Sequence, residues 1–314
     1  MARILVTQKL VAGGDTRLRA SGHEVVQRND DGPMPAADLI AASDQFDAIV
    51  CLLSDRISAQ VLHETTTLKV VGNVAVGVDN IDREAAAAAG VTIVNTPGVL
   101  DAATADIALL LMLSTRRGAS AAEADLRAGR WAGWSLGDHL GQDLTGATVG
   151  LVGYGRIGQA VARRLEGFDA TVLHHTRSDT GLSGWTASLL GLAARSDVLS
   201  IHVPSSADTH HLIDGEVLAA LPSGAVVINT ARGPVLDEEA LADALFAGRI
   251  AGAGLDVFDG EPHVNPRLLE APGCTLLPHI GSATVAVRRA MCDLACAGVL
   301  AVLAGETPAN IVAP

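Results

Sequence analysis

Short β-type runs alternate with segments of helical spacing along all 314 residues, and this alternation leaves few folds open. The first series reads ARILVT (2–7), HEVVQR (23–28), AIVCLL (48–53), LKVVGNVAV (68–76) and VTIVN (91–95). The second reads ATVGLVG (147–153), ATVLHH (170–175), VLSIHVP (198–204), AVVINT (225–230), GAGLDVF (252–258) and TLLPHI (275–280). Strands that are apolar throughout must be covered on both faces, which predicts parallel sheets sandwiched between helices. The expected fold class is therefore α/β, with two doubly wound units, one over 1–97 and one over 98–284. DREAAAAAG (82–90) reads as an alanine-rich helix that Gly90 terminates. The last helical segment (286–306) needs a face to cover. Packing back on the first unit would make that domain discontinuous.

The strongest local signal is VGYGRIG (152–158), set between the strand GLV and the helix QAVARRLEGF. In such a turn Gly153 allows the sharp bend, Gly155 lets backbone approach a pyrophosphate, and Gly158 lets helix and strand pack closely. The amides of Arg156 and Ile157 open a helix whose positive end suits phosphate. One strand later an acidic residue ordinarily grips the adenosine ribose. Here Thr176, Arg177 and Ser178 occupy that place. Two unit charges about 4 Å apart interact by about 4 kcal/mol at an effective dielectric near 20, so a carboxylate there would oppose a 2′-phosphate. Thr176 removes that opposition, Arg177 offers a guanidinium fork and Ser178 a hydroxyl. The expected cofactor is NADP(H), with NAD(H) possible. The alternative is that Arg177 is a solvated loop residue and Asp179 takes over the ribose.

Three polar groups follow successive strand ends: Arg232 in INTARGPV, Asp256 and Glu261 in GLDVFDGEP, and His279 in LPHIGSAT. Strand C-termini of a doubly wound sheet line its ligand crevice, so these side chains can meet despite their separation in sequence. The formal charge of −13 argues against a nucleic-acid or anionic-membrane partner, which would need a basic surface. The four cysteines show no metal-ligand spacing and read as reduced thiols of a cytoplasmic protein. IALLLML (107–113) is too short to cross a bilayer. No metal site is expected.

Taken with CLLSDRI, LKVVGNVAVGVDNID, VNTPGVL, ATADIALLLML and GYGRIGQAVARRLEGF, these motifs make the chain resemble the D-2-hydroxyacid dehydrogenase family over nearly its full length. NVAVGVDNID and LPHIGSAT favour its glyoxylate/hydroxypyruvate reductase branch. The resemblance implies a Rossmann dinucleotide-binding domain (98–284) inserted in a flavodoxin-like substrate domain (1–97 and 285–314). It also implies a homodimer built around the helix near 102–115, and cleft closure on binding. The implied catalytic residues are Arg232, Glu261 and His279. His279 would protonate the developing alkoxide of a small 2-keto acid, with a carboxylate at Glu261 favouring its imidazolium form. Arg232 would hold the substrate carboxylate and polarise the carbonyl, and the amides of Val76 and Gly77 would complete carboxylate binding. Asp256 would bond the nicotinamide carboxamide, Thr230 and Val203 would line its ring and ribose, and Thr104 and Gly281 would border the same face.

One stretch departs from the branch. WAGWSLGDHLGQDL (131–144) places Gly137, Asp138 and His139 where relatives are apolar and aromatic, which leaves substrate size and polarity open. Trp131 and Trp134 either pack this loop or reach a partner subunit. Another D-2-hydroxyacid substrate, such as 2-ketogluconate, and a nucleotide-sensing binding protein of the same fold remain the competing readings. His174, His175, His202, His210 and His211 are expected to be solvated or capping residues.

Overall fold

The computed structural model describes residues 1–30, 32–63 and 65–313. Two compact units emerge, Met1–Leu100 with Ala283–Pro314, and Asp101–Ser282. The chain thus crosses between units a few residues from the crossings expected at 97/98 and 284/285.

The first unit carries a parallel sheet of β1 (Arg3–Val6), β2 (Glu24–Gln27), β3 (Ala48–Cys51), β4 (Val70–Asn73) and β5 (Thr92–Val94). Their order is β2-β1-β3-β4-β5, the flavodoxin-like arrangement. Inner strands β3 and β4 are buried at every residue, whereas edge strand β2 alternates between exposed and half-buried positions. The helix Val285–Leu303 buries Met291, Cys292, Ala295, Cys296 and Val299, a stripe at helical spacing. It lies so close to β4 that a Cβ at Gly72 would come within 2.5 Å of Val299 Cγ2. The polyalanine segment forms the helix Arg83–Ala88, where Asp82 accepts the Ala85 amide at 2.9 Å, and Gly90 ends the turn at φ +69°.

In the second unit β6 (Thr148–Val152), β7 (Thr171–His175), β8 (Val198–Ile201), β9 (Val226–Asn229), β10 (Gly252–Leu255) and β11 (Cys274–Leu276) pair in the order β11-β10-β9-β8-β6-β7, all parallel. Strand order reverses between β6 and β8, which places the switch point, and hence the ligand crevice, at their C-terminal ends. Apolar cores cover both faces. One face is filled from the helices Asp101–Arg116 and Arg156–Leu165, the other from Gly215–Ala220 and Glu238–Phe246. Several strands are shorter than their apolar runs suggest: β8 stops at Ile201 and β10 at Leu255, so His202, Val203 and Asp256 lie on the loops beyond.

Candidate active site

Each glycine of the VGYGRIG turn faces a different constraint. Gly153 has φ +97°, and a Cβ there would lie 2.6 Å from the His202 carbonyl at the neighbouring strand end. A Cβ on Gly158 would meet the Gly153 carbonyl at 2.5 Å, so helix and turn are in backbone contact. Gly155 has nothing within 4 Å, leaving its approach open. The helix Arg156–Leu165 has no side-chain cap at Gly155, and its first internal bond runs from the Gln159 amide to the Gly155 carbonyl at 2.9 Å. The amides of Arg156, Ile157 and Gly158 therefore remain available to an anion. The Arg156 guanidinium turns to Asp101 at 3.4 Å, and Val203 Cγ1 packs over Gly153.

Beyond β7, Thr176 Oγ1 donates to the Ser178 carbonyl at 2.6 Å and accepts from Trp185 Nε1 at 3.2 Å. These bonds fold the 176–178 loop into a fixed turn. Arg177 is exposed and has no hydrogen-bond or ion-pair partner among the described residues. Asp179 Oδ1 instead closes a local turn on the Gly181 amide at 2.8 Å.

At the far side of the sheet His279 Nδ1 lies 2.7 Å from Glu261 Oε2. The Phe258 amide donates to the other carboxylate oxygen at 2.9 Å, so Glu261 is anchored while it orients the ring. Burial pushes the Glu261 carboxyl up. The His279 hydrogen bond and charge, the Phe258 amide and the Arg232 charge outweigh that push and hold it below its ordinary value. The two side chains are 24% and 29% exposed, so neither is sealed in the core. His279 itself has φ +53°, a left-handed conformation uncommon outside glycine. Arg232 follows β9. Its Nη1 donates to the Ala231 carbonyl at 2.8 Å, and its own carbonyl accepts from Asn229 Nδ2 at 2.9 Å.

Asp256 is 1% exposed and grips the loop after His279, its two oxygens accepting the Ile280 and Gly281 amides, each at 2.7 Å. Burial raises its pKa against the pull of those two amides. Thr104 Oγ1 reaches the Gly281 carbonyl at 3.4 Å, so Thr104, Asp256 and Gly281 form one buried junction. Thr230 Oγ1 is buried without a hydrogen-bond partner among the described residues. An unmet buried hydroxyl costs about 1–3 kcal/mol, a cost that a polar ligand group at this strand end would remove. Open Gly155, uncapped helix amides and orphaned Thr230 all lie at strand C-termini of the second unit, a donor and acceptor set that fits a nicotinamide dinucleotide. Val76 and Gly77 lie in the first unit, on the loop after β4.

Several histidines differ from expectation. His174 is not solvated: it is 1% exposed, stacks on Tyr154 with ring centroids 4.0 Å apart, and pairs with Thr180 Oγ1 at 2.8 Å. Burial lowers its pKa, and burial pushes His202, bonded to Ser200 Oγ at 2.9 Å, down to about 4. A strand-interior histidine can bury only as a neutral ring with a partner; Thr180 comes from the loop just after its own strand and Tyr154 from the loop after β6. Trp131 and Trp134 do not pack their loop, and Trp134 is 81% exposed. Sequence reasoning also passed over Asn229 and Gly233. Asn229 is fully buried and ties both the Ala231 amide and the Arg232 carbonyl. Its only signal is its place at the end of an apolar strand, one step before the loop. No metal-ligand cluster exists among the described residues.

Residues 109–281 match the model of the D-isomer specific 2-hydroxyacid dehydrogenase NAD binding domain. The glyoxylate reductase of Thermococcus onnurineus is 40% identical over 99% of this chain and 95% of its own length, and that of Thermococcus litoralis is 37% identical over 99% and 96%. The crystal structure of the NADPH-dependent glyoxylate/hydroxypyruvate reductase of Sinorhizobium meliloti, in complex with NADP and malonate, superposes with a TM-score of 0.89 at 38% identity. It covers 99% of this chain and 97% of that one. With sequence, fold and strand-end chemistry in agreement, the chain belongs to the D-isomer-specific 2-hydroxyacid dehydrogenase family.

Proposed function

We propose that this protein reduces a small 2-keto acid of the glyoxylate or hydroxypyruvate type to the D-2-hydroxy acid, with NADP(H) preferred over NAD(H). The observation that carries the reading is the His279–Glu261 pair at 2.7 Å, anchored by the Phe258 amide at the end of the strand next to Arg232. A bound nicotinamide supplies hydride to the carbonyl carbon. His279 does the complementary work at the oxygen: with Nδ1 committed to Glu261, Nε2 delivers the proton as the carbonyl becomes an alkoxide. Arg232 provides a fixed positive charge for the carboxylate and for the growing negative charge on oxygen. Asp256 holds the Ile280–Gly281 backbone and so the position of the His279 loop, beside its proposed contact with the nicotinamide amide. Thr230 and Val203 are assigned to the ring and ribose, Thr104 and Gly281 to the same face, and the amides of Val76 and Gly77 to the substrate carboxylate. The 1–97/285–314 portion is the proposed substrate domain.

Cofactor preference rests on Thr176, Arg177 and Ser178. Arg177 is exposed and unengaged, and is assigned to the 2′-phosphate. Arg177→Asp is expected to raise the Kd for NADPH by about tenfold or more, and to leave NADH within about twofold, because only the phosphate would feel the reversed charge. Steady-state oxidation of NADPH and NADH against a panel of 2-keto acids checks both parts. Equal use of the two coenzymes by the unaltered protein contradicts the preference, and no oxidation with any keto acid contradicts the reductase reading.

A homodimer belongs to the same proposal. Leu110 and Leu113, one turn apart on the helix Asp101–Arg116, are exposed, as are Trp131, Trp134, Leu136 and Leu140. Such a density of large exposed apolar side chains marks an association surface. Sedimentation at micromolar concentration is expected to give twice the 32.1 kDa chain mass, and a monomer would contradict it. Among the described residues no helix is long and apolar enough to cross a membrane. The four free cysteines suit a reducing, cytoplasmic setting.

A further inference from the structure

Past the end of β4 three consecutive peptide planes have their carbonyls tied down from within the first unit. The Ala75 carbonyl accepts the Thr96 amide at 2.9 Å, the Val76 carbonyl accepts Asn95 Nδ2 at 2.8 Å, and the Gly77 carbonyl accepts Asn73 Nδ2 at 2.8 Å. In a trans peptide the N–H of the following residue points opposite to the carbonyl of the same plane. The amides of Val76, Gly77 and Val78 are therefore each turned away from the group that anchors their plane. None of the three has an acceptor among the described residues, although all three residues are half-buried. Half-buried amides with no acceptor inside the protein are left to water or to a ligand that accepts hydrogen bonds. Successive unpaired amides form an anion-binding concavity.

The two asparagines are themselves held rigidly. Asn73 is 0% exposed and forms a reciprocal amide pair with Asn80, at 3.1 and 3.3 Å. Asn80 Nδ2 also donates to the carbonyls of Leu52 and Asp55 at 3.2 and 3.0 Å, which leaves Asn73 Nδ2 as the group facing Gly77. The Asn95 backbone is bound to Asn310 at both ends, its amide to the Asn310 carbonyl at 3.1 Å and its carbonyl to Asn310 Nδ2 at 2.7 Å. Rigid neighbours thus support both side chains that set the direction of the loop amides.

We propose that Asn73 and Asn95 are positioning residues that orient a three-amide cradle, formed by the N–H groups of Val76, Gly77 and Val78, for a carboxylate. Taking that carboxylate to be the one on the 2-keto acid rests on the function proposed above. Val78 N–H is the third donor, and the asparagines act through the peptide planes rather than by touching substrate.

Asn95→Asp keeps the size of the side chain but sets an oxygen against the Val76 carbonyl, so that plane is released. With the cofactor-loaded enzyme, the variant is expected to bind oxamate about tenfold more weakly by titration calorimetry and to show a similarly raised KM for glyoxylate. The size of the effect is that of one charge-assisted hydrogen bond. Cofactor Kd and kcat at saturating glyoxylate stay within about twofold, a split that a merely loosened fold would not give. Asn73→Asp should act in the same direction. If its buried position prevents folding, Asn95→Asp alone carries the test. A folded Asn95→Asp enzyme with unchanged oxamate affinity and unchanged KM overturns the cradle. Oxamate binding that is weakened by Asn95→Asp, in a protein that reduces no 2-keto acid, would uphold the cradle and remove the proposed reaction instead.

Discussion

His279→Ala is expected to lower kcat for keto-acid reduction by about 10²–10⁴-fold, the usual span for loss of a positioned general acid. The Kd for the dinucleotide should change little, because the glycine turn and the Arg156–Leu165 amides lie at other strand ends. The magnitude follows from how completely the ring is organised. Its Nδ1 is engaged by Glu261, that carboxylate is fixed by the Phe258 amide, and the backbone at His279 is held at φ +53° between a bond to the Leu277 carbonyl and the Asp256 grip on Ile280 and Gly281. Pre-organisation of this kind is what a general acid loses on truncation. A pH expectation accompanies it. Glu261 is held below its ordinary carboxylate value, so the contribution of its charge is present above that value and is lost only as pH falls through the lowered one. No loss of kcat attributable to Glu261 is therefore expected between about pH 7 and pH 5. An acid limb in that window that disappears in Glu261→Gln would contradict the assignment, as would a His279→Ala enzyme that retains its turnover.

Gly233→Ala is expected to damage fold and site together. A Cβ at Gly233 would lie 1.9 Å from the Phe258 carbonyl carbon, 2.1 Å from the Asp259 nitrogen and 2.2 Å from the Phe258 oxygen. All three are backbone atoms, so no side-chain rotation can relieve the clash. The Arg232 loop and the Phe258–Asp259 backbone would have to separate. Phe258 is the residue whose amide anchors Glu261, and the Asp259 amide is bound by the buried Glu238 at 2.7 Å. One methyl group thus pushes apart the segments carrying Arg232 and Glu261. Overpacking costs typically about 1–3 kcal/mol and here meets immovable backbone, so a fall in Tm of several degrees is anticipated. Among molecules that remain folded, kcat/KM should drop by about tenfold or more, since misplacement of about 1 Å is that costly in a positioned site. Unchanged Tm and unchanged kcat/KM would show that the loops are not in the contact described.

The architecture was legible because buried parallel strands require unbroken aliphatic runs, and AIVC, VVIN and GLV have no other comfortable home. Strand ends were not legible. LKVVGNVAV reads as one apolar run, yet the strand ends at Asn73, and at Val76 and Gly77 side-chain amides take the carbonyls that a neighbouring strand would otherwise bind. Arg232, Glu261 and His279 stood out because each polar group follows a strand end. Gly233, Asn73, Asn95 and His174 did not, since their importance depends on which backbone groups and rings the folded loops bring against them. The Gly233–Phe258 contact and the Tyr154–His174 stack have no signature in local composition.

The direct test of the account is the fate of a labelled hydride. The enzyme is supplied with hydroxypyruvate and with NADPH carrying deuterium at C4 of the nicotinamide, using each of the two labelled faces in turn, and the glycerate is analysed for deuterium and handedness. The account predicts D-glycerate with one deuterium on C2 from one labelled face and none from the other, and transfer slowed by about 10²–10⁴-fold in His279→Ala under the same conditions. Unlabelled product from both faces, L-glycerate, or undiminished transfer by His279→Ala would contradict it.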